Sequence, residues 1–292
     1  MPSAGGLQLG LFLNPEAARH DELVAQARLA DEAGIDQFQI QDHPYQRRHL
    51  DALSLIADLA ARTERLRFVT AVANLPLRHP AMLAKQAASL SVMSGGRFDL
   101  GLGAGAFWDP VVAMGGPRRT PKESVDALEE AIAICRAAWG DDHGITSDGP
   151  FYPLGGYRPG PTPPRSPQLW LGAYGPRMLR ITGRSADGWI PSSPYAPPTQ
   201  LPEMQDRIDE AATDAGRDPR SVVRAYVIQG SITDGSAEGD FDGPVARWVE
   251  QLVHLHRDLR FDSVSVWPQG DVDAQVRRFI EEVAPAVRAA LA

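Results

Sequence analysis

Cysteine and lysine are nearly missing from this 292-residue chain: there is one Cys, Cys135, and only two lysines, Lys85 and Lys122. A lone thiol cannot form an internal disulfide, so a reducing, cytoplasmic setting is expected. Cys135 lies in AIAICRAAW, an apolar helical pattern, and reads as a buried structural thiol rather than a nucleophile. With the basic side chains almost all Arg and a net charge of -8, no basic stripe is available to neutralise a phosphate backbone, so nucleic acid is not an expected partner. Local pairs such as Arg47-Arg48 and Arg118-Arg119 remain free to meet a small anion. No apolar run is long enough to span a bilayer. The opening MPSAGGLQLG has neither a charged start nor an apolar core, so no secretory leader is expected there. Metal and hydrolase motifs are also missing: there is no H-E-x-x-H, C-x-x-C or G-x-S-x-G, and His254 and His256 sit two apart on one helical pattern, facing different ways.

What is present is an alternation of strand and helix patterns along almost the whole chain. Strand patterns fall at Leu7–Leu13, Phe38–His43, Arg65–Ala73 and in RFDLGLG. They resume in QLWLGAYG, DGWIPSS, SVVRAYVIQGSI and FDSVSVWPQG, each followed by a helical pattern. Pro80 stands at a plausible first helical position, and Thr120 with Glu123 has the spacing of a capping box. Eight strand–helix pairs favour a closed (β/α)8 TIM barrel, which would use nearly all of the length, about 250 residues being typical. The expectation is a single domain over 1–292. A Pro/Gly-rich insertion at 140–168, after the fourth long helix, reads as a small hairpin and a crossing near the mouth of a site, in the manner of a lid.

In such a barrel, chemistry belongs at the C-terminal ends of the strands. The second strand pattern runs into Asp42-His43-Pro44-Tyr45, which brings a carboxylate, an imidazole and a phenol to the rim, each able to move a proton. The alternative is a capped turn with a satisfied histidine. The third pattern ends at Asn74, suited to a ligand's amide edge or to its own turn. Arg78 and His79 read as structural. The fourth ends in Gly101-Leu102-Gly103-Ala104-Gly105-Ala106, which loosely fits a dinucleotide-binding fingerprint. It follows the fourth strand rather than the first, however, and does not run straight into a helix, which argues against a Rossmann turn. Here glycines would let a flat ring or a phosphate approach bare backbone. The fifth pattern ends in Ala173-Tyr174-Gly175-Pro176-Arg177, where free amides and a helix N-terminus make a ready anion site. A proton-handling corner, a glycine platform and an anion pocket suit an organic cofactor.

The segments QIQDHP, FVTAVANLPLRHPAMLAKQAASLSVMSGGRFDLGLGAG and LWLGAYGPRMLRITGRSADGWIP resemble the bacterial luciferase-like superfamily of flavin- and deazaflavin-dependent oxidoreductases. The likeness extends from about residue 8 to residue 285 and is most specific from Leu77 to Gly105. It implies a (β/α)8 barrel with an insertion and an outer-helix homodimer. The cofactor it implies is coenzyme F420, with FMN as the alternative. By position, Asp42 and His43 would contact the deazaflavin ring, and a cis peptide at Ala71-Val72 would back it. Gly103, Ala104 and Gly105, with Ala173 to Arg177, would hold the ribityl chain and phosphate. His43 would move the proton, oriented by Asp42, with Tyr45 beside them. Beside this corner, Arg47, Arg48 and His49 read either as partners for the polyglutamate tail or as a solvated loop. Two departures weigh against a sugar-phosphate substrate: Ala106 stands where sugar-phosphate dehydrogenases of the superfamily carry Glu, and Tyr45 stands near their Trp. Phe107 and Trp108 read either as the wall for an apolar or aromatic substrate or as packing over the barrel mouth. The readings to be tested are hydride transfer with F420, monooxygenation with reduced FMN and oxygen, and a non-catalytic flavin-binding barrel.

Overall fold

The computed structural model describes residues 6–140, 144–235 and 239–292. The first five residues of the leader reading, and 141–143 of the insertion, lie outside that set. The chain opens with β1 (Gln8–Leu13), α1 (His20–Glu32), β2 (Gln37–Ile40), α2 (Ala52–Ala61), β3 (Arg67–Thr70), β4 (Ala73–Asn74) and α3 (Pro80–Met93). It continues through β5 (Phe98–Gly103), α4 (Trp108–Ala113), α5 (Pro121–Trp139), the hairpin β6 (Ile145–Ser147) and β7 (Leu154–Tyr157), β8 (Leu169–Leu171) and α6 (Pro176–Ser185). The last third holds β9 (Gly188–Trp189), α7 (Leu201–Asp214), β10 (Val223–Ile232), β11 (Asp242–Gly243), α8 (Val245–Arg257), β12 (Ser263–Pro268), α9 (Val272–Arg278) and α10 (Ala284–Leu291).

Eight of these strands close into a ring of parallel pairs. The order runs β12-β1-β2-β3-β5-β8-β9-β10, and β10 bonds back to β12. The (β/α)8 barrel is therefore the fold. Inward-facing positions alternate along each strand, as a two-residue period requires. Gly10 is small because a Cβ there would lie 2.5 Å from Ser265 Oγ and 2.6 Å from Gln37 Cγ, both inside the barrel. One layer higher, Phe12, Val69, Trp170, Ile190, Ala225 and Val227 pack together and floor the upper lumen. Outside, the apolar helix faces bury the larger core against the strands' outward residues.

Several local expectations hold in detail. Pro80 begins α3, and Thr120 with Glu123 forms a complete capping box on α5. Cys135 is fully buried with Sγ toward the Pro80 carbonyl, and burial pushes its thiol up to about 12. His254 pairs with Asp258 while His256 bonds the Phe261 carbonyl, so the two imidazoles do not converge.

Others are corrected. The second strand ends at Ile40 rather than His43, so Asp42, His43 and Tyr45 stand on the following loop. The third is interrupted at Ala71–Val72, whose peptide bond is cis, before the chain re-pairs with β5 through Ala73 and Asn74. A short helix, α4, stands between the glycine run and α5. The insertion does contain an antiparallel hairpin, β6 with β7. None of the described residues lining the cavity at the barrel mouth comes from the insertion. The Phe151 and Tyr152 amides donate to Glu130 on α5, and Arg165 reaches Asp99 near the start of β5. No helix among the described residues is long and apolar enough to cross a membrane.

Candidate active site

At the C-terminal mouth of the barrel lies a cavity of about 550 Å³. Its floor comes from the barrel's upper layer: Phe12, Ile190, Val227 and Trp267. One wall is the loop after β2, with Gln41, Asp42, His43 and Tyr45. The next is the interrupted segment Ala71–Asn74, and beyond it the end of β5 and start of α4 supply Gly103 to Trp108. The far side is built from Gly172, Tyr174, Gly175 and Met178, together with Ser192 and Tyr195.

The glycines serve the wall before they serve any ligand. A Cβ on Gly101 would sit 1.9 Å from the Thr70 carbonyl oxygen, and one on Gly103 2.7 Å from Val72 Cγ2. A Cβ on Gly172 would meet both Val72 methyls at 3.3 Å. Three glycines from two strands thus make room for the backbone before Val72 and for its side chain, which projects between them. Gly105 has φ +108 and lies against Pro76, so glycine is required there on both conformational and steric grounds.

Asp42 has a different role from the one expected. Its buried carboxylate takes both arms of Arg78, Nε to Oδ2 and Nη2 to Oδ1, each at 2.7 Å, and the Asn74 amide donates to Oδ2 at 2.9 Å. Arg78 also reaches Asp51 at 2.5 Å, and these carboxylates hold its guanidinium firmly protonated. Asp42 therefore ties the loop after β2 to the segment after β4. It does not orient His43 by a hydrogen bond, because its oxygens are committed elsewhere. Arg78, read as structural from the sequence, is the residue that completes this corner.

His43 is instead held by Tyr45, whose hydroxyl lies 2.6 Å from Nδ1. Phe107 closes on the imidazole edge-to-face, with ring centroids 5.6 Å apart. Burial, with His49 nearby, pulls the His43 pKa below its ordinary value against the opposing charge of Asp42. That shift favours the neutral imidazole.

The fifth-strand turn divides. Tyr174 and Gly175 line the cavity, and Tyr174 bonds Ser192 at 3.0 Å. Pro176 opens α6, and no side chain caps that helix, so its first-turn amides remain available to an anion. Ala173 is buried behind the wall, its carbonyl taken by the Trp189 indole. Arg177 does not reach the cavity: its guanidinium is bound to Asp126 and Glu129 on α5. Trp267, Tyr195 and Ile190 were not singled out from the sequence. The alternation Ser263, Ser265, Trp267 carried the signal for the first, whereas the loop SSPYAPP carried none for Tyr195.

A flat tricyclic cofactor fits this chemistry. The Asn74 side-chain oxygen is buried at the cavity with no partner among the described residues, and stands ready to accept an N–H from a ring edge. Val72 offers an apolar surface to a ring face, and the open start of α6 offers amides to a phosphate.

A model described as luciferase-like monooxygenase matches residues 7–252. The chain belongs to that family. Members of this luciferase-like family are enzymes. Among its relatives is an F420-dependent glucose-6-phosphate dehydrogenase of Nocardia farcinica (strain IFM 10152), 31% identical over 233 residues, which are 77% of this chain and 69% of that protein. A phthiodiolone/phenolphthiodiolone dimycocerosates ketoreductase of Mycobacterium sp. (strain JLS) is 34% identical over 208 residues, 66% of this chain and 50% of the ketoreductase. The chain thus spans about half the length of that relative. The fold matches an F420-dependent secondary alcohol dehydrogenase in complex with an F420–acetone adduct, with a TM-score of 0.85 at 20% identity, covering 97% of this chain and 99% of that one. It also matches the FMN-bound oxygenating constituent of 3,6-diketocamphane monooxygenase from the CAM plasmid of Pseudomonas putida, with a TM-score of 0.75 at 21% identity over 96% and 98% of the two chains.

Proposed function

We propose that this luciferase-like protein is an F420-dependent oxidoreductase acting on a small, neutral, largely apolar or aromatic substrate. When bound, the deazaflavin supplies or accepts a hydride at ring carbon C5. Asn74, Val72 and the loop after β2 would hold the ring, and the amides that begin α6 would hold its phosphate. His43 manages the proton that accompanies the hydride.

The observation that carries this reading is the composition of the cavity. It presents a neutral imidazole among aromatic and aliphatic walls, and none of its described lining residues is Lys or Arg. A sugar-phosphate dianion would find no cationic side chain there, which agrees with the departures at Ala106 and Tyr45. Phe107 and Trp108 stand where an apolar substrate would meet the ring's open side. Arg47 and Arg48 are exposed beside the loop after β2 and are free to meet an acidic cofactor tail.

Titrating the apoprotein with F420 and with FMN, followed by tryptophan fluorescence, tests the reading. Tight F420 binding with much weaker FMN binding is the expected result. The reverse preference, with oxygen uptake in the presence of reduced FMN, would replace it with monooxygenation. Binding without turnover against any electron acceptor would leave a non-catalytic flavin-binding barrel. Homodimerisation through outer helices belongs to the same proposal. Met82 and Met93 are exposed on α3 and give a second copy an apolar face, and light scattering of the purified protein decides it.

A further inference from the structure

The position of Tyr45 has a consequence for the direction of the reaction. Its hydroxyl lies 2.6 Å from His43 Nδ1, well within hydrogen-bond reach. The phenol has no other hydrogen-bond partner among the described residues, so donating to Nδ1 is how its proton is satisfied. Burial pushes the Tyr45 phenol up to about 12, so in the resting site it carries its proton across the working range. Of the ionisable neighbours on this loop, Asp42 is engaged by Arg78 and the Asn74 backbone amide, and His49 makes no hydrogen bond to the imidazole among the described residues. With Nδ1 an acceptor, the proton of the neutral imidazole sits on Nε2. No described protein group bonds Nε2, and His43 lines the cavity.

We infer that Tyr45 is a positioning residue that locks His43 in its Nε2–H form, making the site a proton donor to a substrate oxygen and therefore a site built for reducing a carbonyl group. This rests on the F420 reading above. The proton path balances without an external acid at the reacting centre. As the carbonyl carbon receives the hydride, the oxygen keeps the electron pair of the broken C–O π bond and takes the Nε2 proton. Nδ1 takes the phenolic proton in exchange, the phenolate is reprotonated by a solvent proton, and the imidazole returns to its Nε2–H form by exchange with solvent once the alcohol leaves. The imidazole is neutral before and after. Oxidation of an alcohol would require the reverse, an unprotonated Nε2 facing the substrate, which the Tyr45 bond disfavours.

The test is nitrogen NMR on the full apoprotein labelled at histidine, in mildly alkaline solution. The His43 signal, identified by its loss in His43→Ala, is expected to show a protonated Nε2 and an unprotonated Nδ1. In Tyr45→Phe the two shifts should move toward each other as the tautomers mix. With F420 bound, Tyr45→Phe should keep the cofactor Kd within about two-fold while the rate of reduction of cyclohexanone or acetophenone falls by about ten-fold or more. A protonated Nδ1 in the unaltered protein, or an unchanged His43 signal in Tyr45→Phe, would overturn the inference. Failure of F420 to bind would remove the cofactor reading and with it the reduction step, whereas the NMR result on the apoprotein would still decide the tautomer.

Discussion

Val72 and Gly103 are sterically matched: a Cβ at position 103 would lie 2.7 Å from Val72 Cγ2. Gly103 is therefore explained by a side chain of the neighbouring stave. Gly172 completes the fit from the other side, at 3.3 Å from both methyls.

Gly103→Ala should accordingly push Val72 into the cavity. A loss of stability of about 1–3 kcal/mol is expected from overpacking, together with weaker F420 binding. Val72→Ala in the same chain should recover much of both. A double-mutant cycle read by urea unfolding and by the F420 Kd measures the coupling. Additive effects would show that the two side chains do not constrain one another.

The bidentate pair of Arg78 with Asp42 is nearly dry, the side chains being 12% and 1% exposed. Arg78→Ala leaves a buried carboxylate with a single amide donor, a change expected to cost about 3–5 kcal/mol. Arg78→Lys, which lacks the planar fork, should recover only part of it. Equilibrium denaturation gives the number, and a change below the error of that measurement would refute the role assigned to the pair.

Acid should weaken the protein through the site itself. The His43 pKa lies below its ordinary 6.5, so the unfolded chain binds this proton more readily than the folded one. The resulting stability is fully present above about pH 6.5 and is lost as pH falls toward the folded value. His49 is shifted in the same direction, also by burial. The difference in Tm between the unaltered protein and His43→Ala should change in favour of the variant between about pH 7.5 and pH 5. A pH-independent difference would remove His43 from the linkage.

Arg177 should matter little to the cofactor. Because its guanidinium is held by Asp126 and Glu129, Arg177→Ala is expected to change the F420 Kd by no more than about two-fold, the scale of an exposed ion-pair network. A loss much larger than that would return Arg177 to the phosphate site.

Cys135 should be inert to a thiol reagent in the native state and react only on unfolding, since the group is fully buried and its thiol is pushed up to about 12. Rapid stoichiometric labelling of the folded protein would contradict this packing.

The sequence by itself determined the barrel, because its signals are local. Alternating apolar residues make a strand and Pro80 or Thr120 starts a helix regardless of what lies opposite, and the repeated pairing of such units has few compact solutions. It also brought Asp42, His43 and Tyr45 to the barrel mouth, although on the loop after the strand rather than at its end. What only the tertiary structure decided was which groups meet. Asp42 finds Arg78 across 36 positions of chain, and Gly103 and Gly172 find Val72 from different strands. Arg177 turns toward α5, and Glu130 on that helix takes the amide of Phe151 from the insertion. Each of these is a contact between distant segments, fixed by barrel closure and by which partner satisfies a buried charge or fills a gap. A residue's identity states what it can bond. Its place in the closed ring settles what it does bond.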